Sequence, residues 1–355
     1  MTRLVVHAGM AKTGTTALQS FFTHNSEQLA EHGLTYCTGF RRRNHAELAV
    51  AFSSTVTPLT RREGVSGADS RPALRERLRE IFGDPHAARS FLTSSEHLST
   101  LVRDSADVAD LADFLHSIYD EVVVLLVIRR ADYWTPSAYV EAVKAGDRRP
   151  FDAGFIARRW FVLDHNDLFQ RWGAAFGAES VHAVPFLESD KSDPLLLPAR
   201  VLAAAGVPLG TIDEWPLPPR VANTSLSGYG TEVLRRFSKA RENKDAPMAV
   251  MPKRGPIVET VRENWPGPPP LLTPEAAAEL GRRRWVRTGI ESTPYAGDSD
   301  DWQQWAAQPD APTAPLSTAA RRDVRRLLKL LRQKELVQPS FAGRVRRKLG
   351  LRPTR

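Results

Sequence analysis

Cysteine is nearly missing from this chain: its 355 residues include one, Cys37. A lone thiol excludes an internal disulfide framework. With no CxxC spacing and no Cys/His cluster, a multi-thiolate metal site has no ligands either. The natural setting for such a chain is a reducing cytoplasm. Long apolar runs are lacking too, since the longest, Val122 to Ile128, is strand-sized and far short of the roughly 20 residues that cross a bilayer. The opening MTRLVVHAGM has no basic region followed by a long apolar helix and a small-residue cleavage site, so no secretory signal is expected. Most of the chain also lacks an excess of charge of one sign. The formal net charge is +8, but Arg321 to Arg355 holds 13 of the 49 Lys/Arg and 2 of the 41 Asp/Glu, a local +11. What remains is 36 basic and 39 acidic groups, a net −3. Attraction to polyanions or anionic lipid is therefore expected of the tail and of local pockets, and no specific nucleic-acid partner is expected.

What is present is the composition of a globular protein, 42% hydrophobic and 25% charged, long enough for one large α/β domain or two smaller ones. Arg3 to His7 reads as a short buried strand, followed by a glycine-containing turn and an amphipathic helix from about Thr15 to Glu31. The alternation continues with a polar stretch over Thr38 to Asn44, a charged helix near Pro72 to Phe82 and a strand Phe91 to Thr93. A helix over about Ala106 to Tyr119 then leads to the apolar strand Val122 to Ile128. A helix over Asp164 to Phe176 and a strand over Val181 to Pro185 follow, after which helices dominate. Near-continuous β-branched strands separated by helices imply a parallel sheet covered on both faces, hence a three-layer α/β fold with a helical C-terminal part. Pro266 to Pro270 and Ser292 to Pro315 read as loops or linkers. A break in composition near residue 318 divides the chain into a main domain, 1–318, and a basic amphipathic helix with its tail, 319–355.

The first strand runs into Gly9-Met10-Ala11-Lys12-Thr13-Gly14-Thr15-Thr16 where a helix begins. Such a turn gathers the unpaired N–H groups of the first helical turn with the positive end of the helix dipole, and Lys12 adds a full charge, so the segment suits an anion. The nucleotide-hydrolase P-loop sets its lysine directly after the second glycine; here that position is Thr15, and Lys12 precedes Gly14 by two. An ordinary strand-to-helix turn capped by threonine is the alternative. Lys-Thr-Gly-Thr-Thr after an N-terminal strand resembles the 5′-phosphosulfate loop of sulfotransferases that use 3′-phosphoadenosine-5′-phosphosulfate (PAPS). The resemblance implies a P-loop NTPase-like fold and a sulfuryl donor held by Lys12, Thr13, Gly14, Thr15 and Thr16, with Lys12 also neutralising charge on the leaving phosphate oxygen.

A PAPS enzyme needs a second cationic site for the 3′-phosphate. Strand Val122 to Ile128 ends in Arg129-Arg130, and Ser137 follows eight residues after Arg129. In sulfotransferases an arginine at a strand end and a serine eight positions on bind that phosphate, and Ile128 to Trp134 with Ser137-Ala138-Tyr139 and Lys144-Ala145-Gly146 looks like the bacterial carbohydrate-type branch. A planar guanidinium suits the task through paired, charge-assisted hydrogen bonds. An ion pair of Arg129 or Arg130 with Asp132 is the structural alternative.

Between these elements, strand Phe91 to Thr93 ends in Ser94-Ser95-Glu96-His97. Carbohydrate-type sulfotransferases often use a glutamate here, and the resemblance assigns Glu96 as general base. His97 competes, because histidine does this work in the small-molecule branch and titrates nearer neutrality. A helix cap built from Ser95 and Glu96 involves no chemistry at all. No metal is implied, since protein cations take the place of the magnesium of a kinase. A P-loop kinase and a non-catalytic nucleotide-binding module are the competing functions.

Weaker signals complete the reading. Arg220 to Ser227 resembles an Asn-x-Ser stretch of related bacterial proteins and is also explained as a helix cap. Asn44-His45 and the aromatic pairs Trp302/Trp305 and Tyr133/Trp134 are offered to an acceptor sugar, with a surface loop and plain packing as the alternatives. His7 and Cys37 read as strand and core residues. The resemblance covers Thr2 to Phe186 well and extends loosely to Ser227; Glu279 to Tyr295 departs from the family pattern. The helix over Ala319 to Glu335 carries leucines flanked by arginines, a pattern that lies on anionic membranes. The expectation is a cytoplasmic PAPS-dependent sulfotransferase acting on a hydroxyl of a carbohydrate or glycoconjugate, with peripheral contact at the inner membrane face through its tail.

Overall fold

A computed structural model describes residues 1–41, 43–55, 57–62, 71–82, 90–207, 212, 214–219, 225–240, 254–283 and 300–336. The chain forms two compact units: Met1–Ala131 with Trp160–Val221 and Trp285–Pro309, and Asp132–Arg159 with Ala222–Arg284 and Asp310–Arg355.

The first unit is built on five strands, β1 (Arg3–His7), β2 (Leu34–Tyr36), β3 (Ser90–Ser94), β4 (Glu121–Arg129) and β5 (Val181–Phe186), all parallel in the order β2-β3-β1-β4-β5. Successive side chains on a strand alternate between faces. Val123, Leu125 and Val127 of β4 enter one core with Val5, Leu18, Phe21, Val184 and Leu197, while Val122, Val124, Leu126 and Ile128 on the opposite face are equally inaccessible. A sheet buried on both faces is why β4 reads as an unbroken apolar run. The expected three-layer α/β architecture is the one observed. Helices Thr15–His24 and Leu196–Ala204 contact each other, and helices Ser105–His116 and His165–Phe176 pack together and on β4.

Sequence and structure differ in several places. The helix expected over Thr15 to Glu31 is two, Thr15–His24 and Ser26–Glu31, broken at Asn25. Asn25 is fully buried and its amide donates to the carbonyls of Phe21 and Pro216, so its side chain competes with the helical ladder. Strand β2 escaped the sequence reading because it is only three residues long. Helix Ala46–Phe52 escaped it because every residue is buried and no polar face marks a period.

The second unit is helical in its described residues, with Ala153–Ala157 against Pro274–Arg282 and Gly228–Ala240, Arg254–Asn264 and Arg321–Gln333 packed mutually. Helix Arg321–Gln333 buries Val324, Leu327, Leu328 and Leu331, and its first turn is tied by Asp323 to the Tyr229 hydroxyl at 2.7 Å. Leu327, Leu328 and Leu331 are thus already covered where this helix packs on helices Gly228–Ala240 and Arg254–Asn264, while Leu330 is half-buried. The basic coil after residue 336 lies outside the described residues. Within the stretch read as a linker, residues 301–307 form helix Asp301–Ala307, with Trp302 and Trp305 buried rather than presented to a sugar. Trp134 is buried as well. Among the described residues no helix is long and apolar enough to cross a membrane.

Candidate functional site

The site sits at the carboxyl ends of β1, β3 and β4. From β1 the chain leaves toward the edge occupied by β2, and from β4 it continues toward β5 at the other edge. Adjacent parallel strands whose connections depart in opposite directions leave a crevice beyond their carboxyl ends. The Lys12 loop follows β1 and Arg129 ends β4, so the two flank this point.

The loop is held by its backbone. Ala8 and Met10 donate to the carbonyls of Leu125 and Val127, which continues the β1–β4 ladder past His7. Gly9 passes so close to the strands that a Cβ there would lie 2.7 Å from His7 Nε2 and 3.0 Å from Val127 Cβ. Thr13 is fully buried and its hydroxyl donates to the Met10 carbonyl at 2.5 Å, which closes the turn from inside. Lys12 (φ 71°) and Gly14 (φ 73°) both adopt left-handed backbone. That conformation is costly for lysine, and such strain is held in place by surrounding structure where a site demands it. Gly14 is the N-cap of helix Thr15–His24 and supplies no side-chain cap bond. The threonine cap offered as an alternative is therefore absent here: Thr13 turns inward, Thr15 is buried and Thr16 is exposed.

Arg129 is 5% exposed and lies over the Phe186 ring, 5.1 Å from its centroid. Its Nη1 donates to the Lys12 carbonyl at 3.4 Å, while Nε (2.9 Å) and Nη2 (2.5 Å) both reach Glu188 Oε1. Asp132 accepts from the amides of Tyr133 and Ala311. Arg130 is fully buried and donates to the Gln308 carbonyl. Ser137 is half-buried on helix Ala131–Ala145, in the second unit.

Glu96 follows β3 and is mostly enclosed, with a side chain 15% exposed. Gln19 Nε2 donates to its Oε2 at 2.8 Å; Oε1 faces Asn44 Nδ2 at 3.5 Å and His97 Nε2 at 3.7 Å. Asn44 Nδ2 also lies 2.9 Å from His97 Nε2. The carboxylate thus turns to side chains of another helix and loop instead of capping its own short helix, Leu98–Leu101, for which no side-chain cap bond forms. Asn44 touches both candidate bases, whereas His45 is buried, stacked 4.0 Å from Phe40 and bonded to Thr93 Oγ1 at 2.8 Å. Burial holds the imidazoles of His7, at about 4, and His45, at about 3, well below the usual range, so both are neutral. Cys37 is buried and its thiol is pushed up to about 12, which makes it an inert core group.

Sequence reasoning missed Gln19 and Glu188. Gln19 lies four residues after Thr15, one turn along the same helix face, and Glu188 stands two residues beyond the end of the strand that neighbours β4. Both positions were readable once the strand order was known. Residues 220–224 of the Asn-x-Ser stretch lie outside the described residues; Ser227, which ends it, accepts from the Gly230 amide and donates to the Trp265 carbonyl, as a helix-start residue does.

No protein-family model matches the chain, and no curated protein matches it significantly. Among solved structures it is similar to a sulfotransferase from Alicyclobacillus acidocaldarius, at 16% identity and a TM-score of 0.39 over 62% of this chain and 86% of that one. It is also similar to the sulfotransferase domain from the curacin biosynthetic pathway, at 10% identity and a TM-score of 0.36 over 81% of this chain and 99% of that one. Likeness at this level carries no conclusion about activity.

Proposed function

We propose that this chain is a PAPS-dependent sulfotransferase whose acceptor is a hydroxyl of a carbohydrate or glycoconjugate. The observation that carries the reading is the adjacency of Lys12 and Arg129, two cationic residues 117 positions apart joined by a hydrogen bond at a strand-order reversal, with Glu96 at the end of the strand on the other side of β1. The residues suit the donor. An N-terminal helix turn with no side-chain cap leaves its amides to an anion. Glu188 takes the Nε edge of Arg129, an arrangement that orients the guanidinium while other N–H donors of the fork remain.

In this reading the acceptor oxygen attacks sulfur, an O–S bond forms, and the bond from sulfur to the 5′-phosphate oxygen breaks. Glu96 takes the acceptor proton, and Lys12 balances charge on the departing phosphate oxygen. Thr15, Thr16 and the amides around Gly14 hold the phosphosulfate, and Arg129 holds the 3′-phosphate. The carbohydrate class of acceptor rests on the sequence resemblance around Ile128 to Gly146.

The test is a thermal-shift comparison of 3′,5′-ADP with ATP, each with and without magnesium, followed by an acceptor screen with PAPS. Stabilisation by 3′,5′-ADP without magnesium is expected. Stabilisation by ATP with magnesium alone would instead favour a kinase, and binding of 3′,5′-ADP with no turnover on any acceptor would favour a non-catalytic module.

A further inference from the structure

Two groups at the end of β3, Glu96 and His97, compete for the role of base, and the hydrogen-bond inventory around Asn44 separates them. Asn44 Nδ2 stands 2.9 Å from His97 Nε2 and 3.5 Å from Glu96 Oε1. An ionised carboxylate only accepts hydrogen bonds, so the end of the amide facing it must be the NH2 group. An amide nitrogen does not accept, so His97 Nε2 must present its lone pair. A neutral imidazole with a bare Nε2 carries its proton on Nδ1. Turning the amide round would set Oδ1 against the Glu96 carboxylate. It would also place two donors where Asn44 Oδ1 now lies buried without a partner among the described residues, and that raises the number of unpaired polar groups.

Counting lone pairs then decides the matter. Nε2 of a neutral imidazole has one lone pair, and the Asn44 amide occupies it. The Glu96 carboxylate has about four acceptor sites, of which Gln19 takes one on Oε2 and Asn44 a longer contact on Oε1. We infer that Asn44 is a positioning residue that holds His97 neutral with its proton on Nδ1 and its Nε2 lone pair engaged, so that Glu96 alone of the two keeps capacity to accept a further proton. Gln19 fixes the other carboxylate oxygen and with it the plane of the group. The assignment of protons stands on geometry by itself; its meaning for catalysis rests on the sulfotransferase reading.

The experiment is a long-range proton–nitrogen correlation spectrum of the full chain labelled with 15N-histidine at neutral pH, the His97 signals being identified by their loss in His97→Gln. A bare Nε2 and a protonated Nδ1 are expected. Asn44→Asp, which offers only acceptors at this position, is expected to move the proton to Nε2. A wild-type His97 protonated on Nε2, whether neutral or charged, overturns the inference without recourse to any variant, and so does an Asn44→Asp spectrum identical to that of the wild type in a chain that melts normally. In turnover, Asn44→Ala is expected to lower kcat about tenfold or more while the KM for the donor holds; unchanged kcat in a catalytically active chain counts against the positioning role. A chain with the expected tautomer that binds no 3′,5′-ADP refutes the sulfotransferase reading and leaves the proton assignment intact.

Discussion

Lys12 combines a charge with a backbone conformation that lysine adopts at a cost, φ 71°. The two contributions can be separated by substitution. Lys12→Ala and Lys12→Gly are both expected to abolish sulfuryl transfer, but the glycine variant, free of the Cβ penalty, is expected to be more stable than the alanine variant by about 1 kcal/mol, measured as the difference in urea unfolding. Glu96→Ala is expected to lower turnover by about 10²–10⁴-fold with the affinity for 3′,5′-ADP largely kept; full retained rate would remove Glu96 from the mechanism. Arg129→Ala is expected to weaken 3′,5′-ADP binding by about 1.5–3 kcal/mol, the range for hydrogen bonds to charged groups, as read by titration calorimetry. Because the same change leaves Glu188 beside Lys191 without its buried arginine partner, the melting temperature of the free chain is expected to fall as well.

At the scale of elements, the strand–loop–helix unit was legible because its residue types do local work: a β-branched strand, a glycine at the helix entry, a lysine between. Gly14 serves two requirements at once. Its φ of 73° disfavours any side chain, and a Cβ would meet Leu197 Cδ2 at 2.8 Å. Gly14→Ala is therefore expected to distort the helix entry and to weaken anion binding together with stability, in contrast to a change at the exposed Thr16. Helix Arg321–Gln333 shows where periodicity misleads. A leucine stripe edged with arginines has the same pattern whether it faces lipid or protein, and the sequence contains no term for what lies opposite. Here Leu327 and Leu331 are fully buried. Leu327→Ala is expected to destabilise the chain by about 2–5 kcal/mol, and truncation before Ala319 to expose the helices that cover it. Liposome pelleting of the intact chain is expected to show no binding that depends on these leucines.

Across the molecule, buried imidazoles make acid stability predictable in sign. His7, His45 and His165 are held at about 4, 3 and 4 by burial, below the unfolded value of about 6.5. The unfolded chain therefore binds protons that the folded chain refuses as pH falls from about 6.5 toward 4. The stability that these groups contribute is fully present above pH 6.5 and is lost across that window, by up to about 1.4 kcal/mol per pH unit for each. The urea midpoint is expected to drop between pH 7 and pH 5, and His7→Gln, which cannot titrate, to flatten the slope; a midpoint constant over this range would contradict the buried neutral state.

From sequence alone came the layered α/β class, the position of β1 and β4, the candidate anion-binding loop at Lys12 to Thr16 and the candidates Glu96 and Arg129. Each of these is written in contiguous residues whose period or local chemistry is visible within a dozen positions. Tertiary structure alone decided that Lys12 and Arg129 meet, that Glu188 holds the arginine, that Gln19 and Asn44 grip the carboxylate, that the tryptophans at 302 and 305 are core, and that Leu327, Leu328 and Leu331 are covered. Those facts depend on strand order and on which surfaces come into contact. Burial and pairing are properties of what stands opposite a residue, and a linear chain does not record its own opposite side until it has folded.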